Sequence, residues 1–108
     1  PVDYDLNGWI VKMKSGGSLD SHIHETGWIS GSLYVNVPKK KELDSGNLVV
    51  SLDKSKKANS NMVSIDVRTG SLCLFPSSLL HYTVPFEADE DRIVLAFDVV
   101  PNKKARSL

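Results

Sequence analysis

The sequence lacks several features that define the simplest classes of protein. It has a single cysteine, Cys73, so no internal disulfide can form, and a reducing, cytoplasmic location is the expectation. Its 13 Lys and Arg balance its 13 Asp and Glu, and this zero net charge argues against a general nucleic-acid binder, which needs a basic surface. No apolar run approaches the roughly 18 residues that span a bilayer, so we expect no membrane partner.

The sequence does contain a series of short segments rich in β-branched and aromatic residues, separated by Gly, Pro, Ser and Asn. With 108 residues, 41% of them hydrophobic, the chain is predicted to form one domain, 1–108, whose ends 1–7 and 101–108 are peripheral or flexible. The predicted strands are 8–14, 21–24, 31–37, 47–52, 62–67, 72–75, 79–84 and 92–100. So many short strands without a long helix predict an all-β fold, and a jelly-roll barrel fits their spacing best.

Two of these segments make specific predictions about burial. In 31–37, the apolar residues Leu33 and Val35 alternate with residues such as Tyr34, which is the period-2 pattern of a half-buried strand. The segment Leu72–Phe75 is apolar throughout, and this pattern predicts a strand that is buried on both faces.

The three histidines of the chain, His22, His24 and His81, give the first indication of chemistry. Two of them stand at i and i+2, which places both side chains on one face of a strand. Imidazole is the commonest protein ligand for Fe, Zn, Cu and Ni, and a third ring from a distant strand would leave coordination positions open for substrate. We therefore predict a mononuclear metal centre in the barrel. Glu25 is not predicted to be a ligand, because its side chain would point away from the histidines in an extended strand. The alternative to a metal centre is that the three histidines lie on strands by coincidence and share no function.

A longer ordered pattern surrounds these histidines. Its residues are His22-Ile23-His24, Gly27-Trp28-Ile29-Ser30-Gly31-Ser32-Leu33-Tyr34, Gly70-Ser71-Leu72-Cys73-Leu74-Phe75-Pro76-Ser77-Ser78-Leu79-Leu80-His81 and, eleven residues later, Arg92. From about Gly8 to Val100, this pattern resembles the 2-oxoglutarate/Fe(II)-dependent oxygenase superfamily, in particular a bacterial and phage group with a His-x-His motif.

The resemblance implies a double-stranded β-helix, which is a cupin-like jelly-roll barrel with Fe(II) at one mouth. It also implies 2-oxoglutarate as a co-substrate that is decarboxylated to succinate while O2 is split and a small-molecule or peptide substrate is oxidised, typically by hydroxylation. The implied metal ligands are His22, His81 and, where most such oxygenases have aspartate, His24. Arg92 is implied to bind the distal carboxylate of 2-oxoglutarate, with Tyr34 as a second donor, and no further catalytic residue is predicted.

Several alternatives remain open at this point. Arg92 could form an ion pair with the acidic loop Glu87–Asp91 instead of binding a ligand. The segments 16–24 and 70–81 also follow the two cupin motifs, without the glutamate and the final asparagine of those motifs, so a cupin-type metal-dependent dioxygenase is a second candidate. A non-catalytic barrel binding module would turn Arg92 outward and could use Trp28 as a stacking platform. A homodimer formed through edge strands is open as well.

Overall fold

The computed structural model describes residues 3–17, 19–22, 27–52 and 61–102, and of 19–22 the backbone alone. This part of the chain forms eight strands and no helix. The strands are β1 (Tyr4–Met13), β2 (Leu19–His22), β3 (Ile29–Asn36), β4 (Leu48–Ser51), β5 (Met62–Ile65), β6 (Leu72–Pro76), β7 (His81–Thr83) and β8 (Arg92–Pro101). A search of the same residues for a helix long and apolar enough to cross a membrane found none.

The strands form two antiparallel sheets of four strands each. Sheet A has the order β1-β8-β3-β6, and sheet B has the order β2-β7-β4-β5. Every connection except β4–β5 therefore crosses from one sheet to the other. This winding is that of a double-stranded β-helix, and the all-β jelly-roll prediction is confirmed.

The core lies between the inner faces of the two sheets. Tyr34 and Val94 project from sheet A towards Leu48 and Val50 of sheet B, and Val67 and Phe75 complete the buried cluster. Each fully buried side chain of this size contributes about 1.5–3 kcal/mol through removal of apolar surface from water. The buried face of β3 is thus the face that contains Tyr34, whereas Leu33 and Val35 on the opposite face are 37% and 49% exposed.

The opposite surface of sheet A, here called the outer face, is apolar across all four strands. Backbone register aligns Ile10, Leu95, Leu33 and Leu72 in one row and Gly8, Phe97, Gly31 and Leu74 in the next. The prediction that Leu72–Phe75 is buried on both faces is wrong, because Leu72 and Leu74 are 57% and 61% exposed. The reason is that β6 is an edge strand with only Phe75 fully in the core, while its even-numbered residues extend the outer face.

The described residues near the two chain ends are more regular than their sequences predicted. Residues 4–7, expected to be peripheral, begin β1, and residues 98–101 pair with them in continuous antiparallel register. This pairing uses backbone hydrogen bonds, which the polar side chains of Asp5 and Asn7 do not disturb. Residues 103–108 lie outside the described residues.

Candidate active site

His81 is buried at the start of β7, where the end of the β6–β7 turn fixes its ring. Its Nδ1 lies 3.1 Å from the carbonyl oxygen of Leu79, and its ring packs against that of Phe75 at a centroid distance of 4.7 Å. Because a carbonyl oxygen only accepts hydrogen bonds, this contact places the proton on Nδ1 in the neutral ring. Nε2 then carries the lone pair that a metal ligand needs, which is the usual arrangement of metal-binding histidines.

Backbone register brings a second predicted ligand position next to this one. His22, the last residue of β2, is the direct antiparallel partner of His81 on β7. Directly paired positions share one face of a sheet, and their Cβ atoms are typically about 4.5–5.5 Å apart. His24 and Glu25 lie outside the described residues. Among the side chains that the structure describes, which do not include those of His22 and His24, no group of three or more His, Cys, Asp or Glu could hold a metal.

Arg92 is the first residue of β8, and its side chain is buried, with 2% of the residue exposed. Its Nη2 donates to the carbonyl oxygen of Gly46 at 3.0 Å, and Cζ lies 5.1 Å from the centroid of the Tyr34 ring, within the range of a cation–π contact. Among the described residues, its buried Nε has no hydrogen-bond partner. Within the same part of the chain, the groups that face this guanidinium are the Gly46 carbonyl and the side chain of Tyr34, and both are uncharged.

The proposed ion pair between Arg92 and the acidic loop does not form. Asp91 of that loop lies 3.4 Å from Lys12 Nζ instead, and none of the described residues supplies a carboxylate to Arg92. A buried cation without a counter-ion is unfavourable, because the desolvation of the charge is not compensated. The structure thus leaves at Arg92 a charge that an anionic ligand would neutralise.

Three of the five predicted site residues, Tyr34, His81 and Arg92, line one cavity between the two sheets. Its volume is about 60 Å³, and its other walls are mostly apolar. Trp9 also lines this cavity and is 39% exposed, so it lies between the cavity and solvent. Residues that are far apart in the sequence thus meet at one small, partly open cavity.

The electrostatics of the cavity favour a neutral Tyr34 beside a charged Arg92. Burial raises the pKa of the Tyr34 hydroxyl above its ordinary value, although the positive charge of Arg92 opposes this shift. Burial likewise lowers the pKa of the Arg92 guanidinium, and Tyr34 opposes that shift. Arginine remains charged at neutral pH because its ordinary pKa is so high. The site therefore combines a fixed positive charge with a hydroxyl that can still donate a hydrogen bond.

Sequence reasoning missed a polar cluster on the same inner face, beyond the cavity. Ser30 Oγ lies 2.6 Å from Asp98 Oδ1 and 2.9 Å from Ser77 Oγ, and all three side chains are buried. The sequence did indicate which face two of these residues share. Ser30 is four residues from Tyr34 on β3, and Asp98 is six residues from Arg92 on β8, so each pair lies on the same face of its strand. Ser77 carried no such signal, because it lies in a turn.

The double-stranded β-helix with histidine and arginine at one internal cavity defines a cupin-like barrel protein, and comparison with known proteins specifies the family. A family model described as "Putative 2OG-Fe(II) oxygenase" matches residues 7–98. The chain therefore belongs to the 2OG-Fe(II) oxygenase family. A search of curated proteins finds no match to the sequence.

Solved structures with the same fold include several oxygenases. A prolyl-4-hydroxylase from Pseudomonas putida matches 94% of this chain and 54% of its own, with 19% identity and a TM-score of 0.75. A Trichoplax adhaerens prolyl hydroxylase, solved with a hypoxia inducible factor peptide fragment, matches 96% of this chain and 49% of its own, with 21% identity and a TM-score of 0.67. Iron-bound HygX from Streptomyces hygroscopicus matches 94% and 61%, with 13% identity and a TM-score of 0.69. The chain thus spans about half to three-fifths of these proteins, and the likeness is one of fold.

Proposed function

We propose that this protein is an Fe(II)- and 2-oxoglutarate-dependent dioxygenase that oxidises, typically by hydroxylation, a small-molecule or peptide substrate with O2. The observation that carries this proposal is Arg92, a buried guanidinium that lines the same cavity as His81 and has no carboxylate partner among the residues that the structure describes. When bound, Fe(II) would activate O2, which would take two electrons from the decarboxylation of 2-oxoglutarate to succinate and CO2 and two from the oxidation of the substrate. Membership of the 2OG-Fe(II) oxygenase family supports this assignment.

In this proposal His22, His24 and His81 hold the metal. The register pairing of His22 with His81 and the hydrogen bond from His81 Nδ1 to Leu79 support the first and third of these roles. Neutral imidazoles are suitable donors for Fe(II), and three protein ligands would leave coordination positions open for the other reactants. HygX, a protein of the same fold, has been solved with iron and, separately, with nickel and 2-oxoglutarate.

Arg92 and Tyr34 bind the distal carboxylate of 2-oxoglutarate in this proposal. A carboxylate that enters the cavity would provide an anionic acceptor for the buried guanidinium, and such charge-assisted hydrogen bonds are about twice as strong as neutral ones. Tyr34 adds a second donor, since its raised pKa keeps the hydroxyl protonated. The mostly apolar walls strengthen both interactions, because they exclude water.

The cavity must widen for this ligand. Its volume of about 60 Å³ is small beside ligand pockets, which typically measure about 300–1,000 Å³. Trp9 is the wall residue with an exposed side, on the edge strand β1, and we propose that its displacement admits the co-substrate. The buried charge of Arg92 then gains its counter-ion.

The rival functions are less well supported. A binding module would turn Arg92 outward, whereas Arg92 is buried beside the cavity. A cupin dioxygenase has no need of an arginine that lines the cavity of its metal histidine. The two prolyl hydroxylases among the structures of the same fold, one of them with a peptide, support a peptide as one class of substrate.

The assignment of Arg92 can be tested with two ligands that differ in one group. Anaerobic calorimetry with Mn(II) would compare 2-oxoglutarate with 2-oxobutyrate, which lacks the distal carboxylate. Wild type should prefer 2-oxoglutarate by about 30-fold or more, because a buried charge pair left with one partner loses about 2–5 kcal/mol. Arg92→Met should remove that preference, and a preference that survives in the variant would contradict the assignment.

We also propose that the protein forms a homodimer through the outer face. This face measures four strands about 4.8 Å apart by about eight residues of 3.3 Å each, or roughly 500 Å² per copy. Two copies would bury about 1,000 Å², which reaches the lower limit of a specific interface. Its outward positions carry one charged residue, Lys12, so the face itself offers little electrostatic opposition to a second copy.

Light scattering tests the dimer. Wild type should show twice the 11.9 kDa mass of one chain, and Leu33→Lys should shift it towards the monomer. Leu52→Lys, at an exposed position outside the outer face, is the matched control. A monomer mass for wild type at its highest soluble concentration would contradict the proposal.

A further inference from the structure

The buried cluster of Ser30, Ser77 and Asp98, here called the anchor, joins three parts of the barrel. A carboxylate only accepts hydrogen bonds, so the Ser30 hydroxyl donates to Asp98 Oδ1 at 2.6 Å and accepts from Ser77 Oγ at 2.9 Å. Ser30 belongs to β3, Asp98 to β8, and Ser77 to the turn that leads from β6 to β7. The hydrogen bonds therefore attach that turn to the middle of sheet A.

The same turn sets the orientation of His81. Ser77 begins the turn, and Leu79, two residues later, provides the carbonyl oxygen that lies 3.1 Å from His81 Nδ1. At the far end of the turn, the amide of Ser51 donates to the carbonyl of Leu80 at 2.8 Å. The turn is thus held to sheet B by backbone at one end and to sheet A by the anchor at the other.

Gly27 and Trp28 pack against the anchor and form backbone hydrogen bonds beside it. The Trp28 amide donates to Val99 O at 2.7 Å, and the Ser77 amide donates to Trp28 O at 3.0 Å. A Cβ at Gly27 would lie 2.6 Å from Ser77 Oγ and 3.0 Å from Ser77 Cβ, so a side chain there would displace the Ser77 hydroxyl that hydrogen-bonds to Ser30. Glycine at this position is therefore a requirement of packing against Ser77.

We propose that the anchor positions the β6–β7 turn and, through Leu79, the imidazole of His81, and that it thereby contributes to the metal affinity of the site. Ser30, Ser77 and Asp98 are positioning residues in this account and touch neither metal nor substrate. The inference rests on the proposed role of His81 as a metal ligand. It goes beyond that role because it assigns a task to a cluster that the reaction itself does not use.

Two substitutions test the anchor from different sides. Gly27→Ala adds a methyl group against Ser77, and Ser30→Ala removes the hydroxyl that connects Ser77 to Asp98. Substitution of a residue that orients a ligating histidine typically lowers metal affinity by about 10- to 100-fold. We expect a loss of Fe(II) affinity of that size in anaerobic titrations of both variants. Gly8→Ala is the matched control, because its Cβ would meet its nearest neighbour at an ordinary 3.5 Å.

A second readout separates positioning from general loss of structure. The visible spectrum of the Co(II)-loaded protein at saturating metal should change in Ser30→Ala, because the geometry of the donor set changes, and should remain that of wild type in Gly8→Ala. Fe(II) affinity within about two-fold of wild type in a folded Ser30→Ala, whatever the folding of Gly27→Ala, would overturn the anchor while leaving the proposed function intact. A wild type that binds no Fe(II) would overturn both.

Discussion

Replacement of Arg92 by methionine should have opposite effects on the free protein and on ligand binding. Within the described part of the chain, Arg92 Nη2 donates one hydrogen bond, to Gly46 O, and the buried Nε has no hydrogen-bond partner. Methionine keeps an unbranched stem of similar reach and removes the charge. The free protein should tolerate this change, whereas the binding of a dicarboxylate should not.

The magnitude follows from the contacts of the guanidinium. Loss of a charged hydrogen bond costs about 1.5–3 kcal/mol, and removal of a buried donor without a partner regains about 1–3 kcal/mol. These two contributions nearly cancel, so the free energy of unfolding of the metal-free protein should change by about 2 kcal/mol or less. If Arg92 had an internal anionic partner, the loss would instead be about 3–5 kcal/mol.

Urea unfolding followed by tryptophan fluorescence provides the assay, with and without 2-oxoglutarate and Mn(II). Ligand at 100 times its dissociation constant should stabilise wild type by about 2.7 kcal/mol. The same ligand concentration should stabilise Arg92→Met by much less. A loss of 3 kcal/mol or more in the free variant, by the ion-pair criterion, would refute the reasoning that Arg92 awaits an external anion.

Two further predictions concern the inner and the outer face. The pKa of Tyr34 is raised in the folded state, so its contribution to stability is complete below about pH 10 and is lost as the pH rises further. Tyr34→Phe should therefore flatten the loss of stability above about pH 10 in urea unfolding, and an unchanged slope would contradict this cause. On the outer face, Gly31→Ala would place a Cβ 2.1 Å from Phe97 Cζ and should lower the free energy of unfolding by about 1–3 kcal/mol. Gly8→Ala should lower it by much less. Equal losses of stability for Gly31→Ala and Gly8→Ala in thermal unfolding would contradict this prediction and show that the Phe97 ring moves aside freely.

The sequence predicts the strands of this fold better than it predicts their faces. Alternation and turn residues locate all eight strands, but they do not tell which side of β3 is inside. Leu33 and Val35 lie on the outer face, and Ser30 and Tyr34 lie inside. The physical reason is that the interior of this barrel contains a polar site, so the usual rule that apolar residues face inward is reversed there.

The sequence likewise predicts some residues of the candidate site and not others. His81, Tyr34 and Arg92 were recognisable because an ordered pattern of distinctive residue types surrounds them, and the structure brings all three to one cavity. The anchor was not recognisable, because serine and glycine are common in turns and their contacts form between segments far apart in the sequence. Its hydrogen bonds depend on the strand order of sheet A, which single-sequence patterns do not reveal.

The central claim is that His81 and Arg92 act together on a metal and a 2-oxo acid. Anaerobic titration of metal-free protein with Fe(II) and 2-oxoglutarate, followed by the visible absorption of a metal-chelated 2-oxo acid, tests it most directly. We expect the band in wild type and in Arg68→Met, whose side chain is 77% exposed, and its loss in His81→Ala and Arg92→Met at the same ligand concentration. Wild-type protein that binds Fe(II) without the band, or an Arg92→Met variant with an undiminished band, would contradict the account.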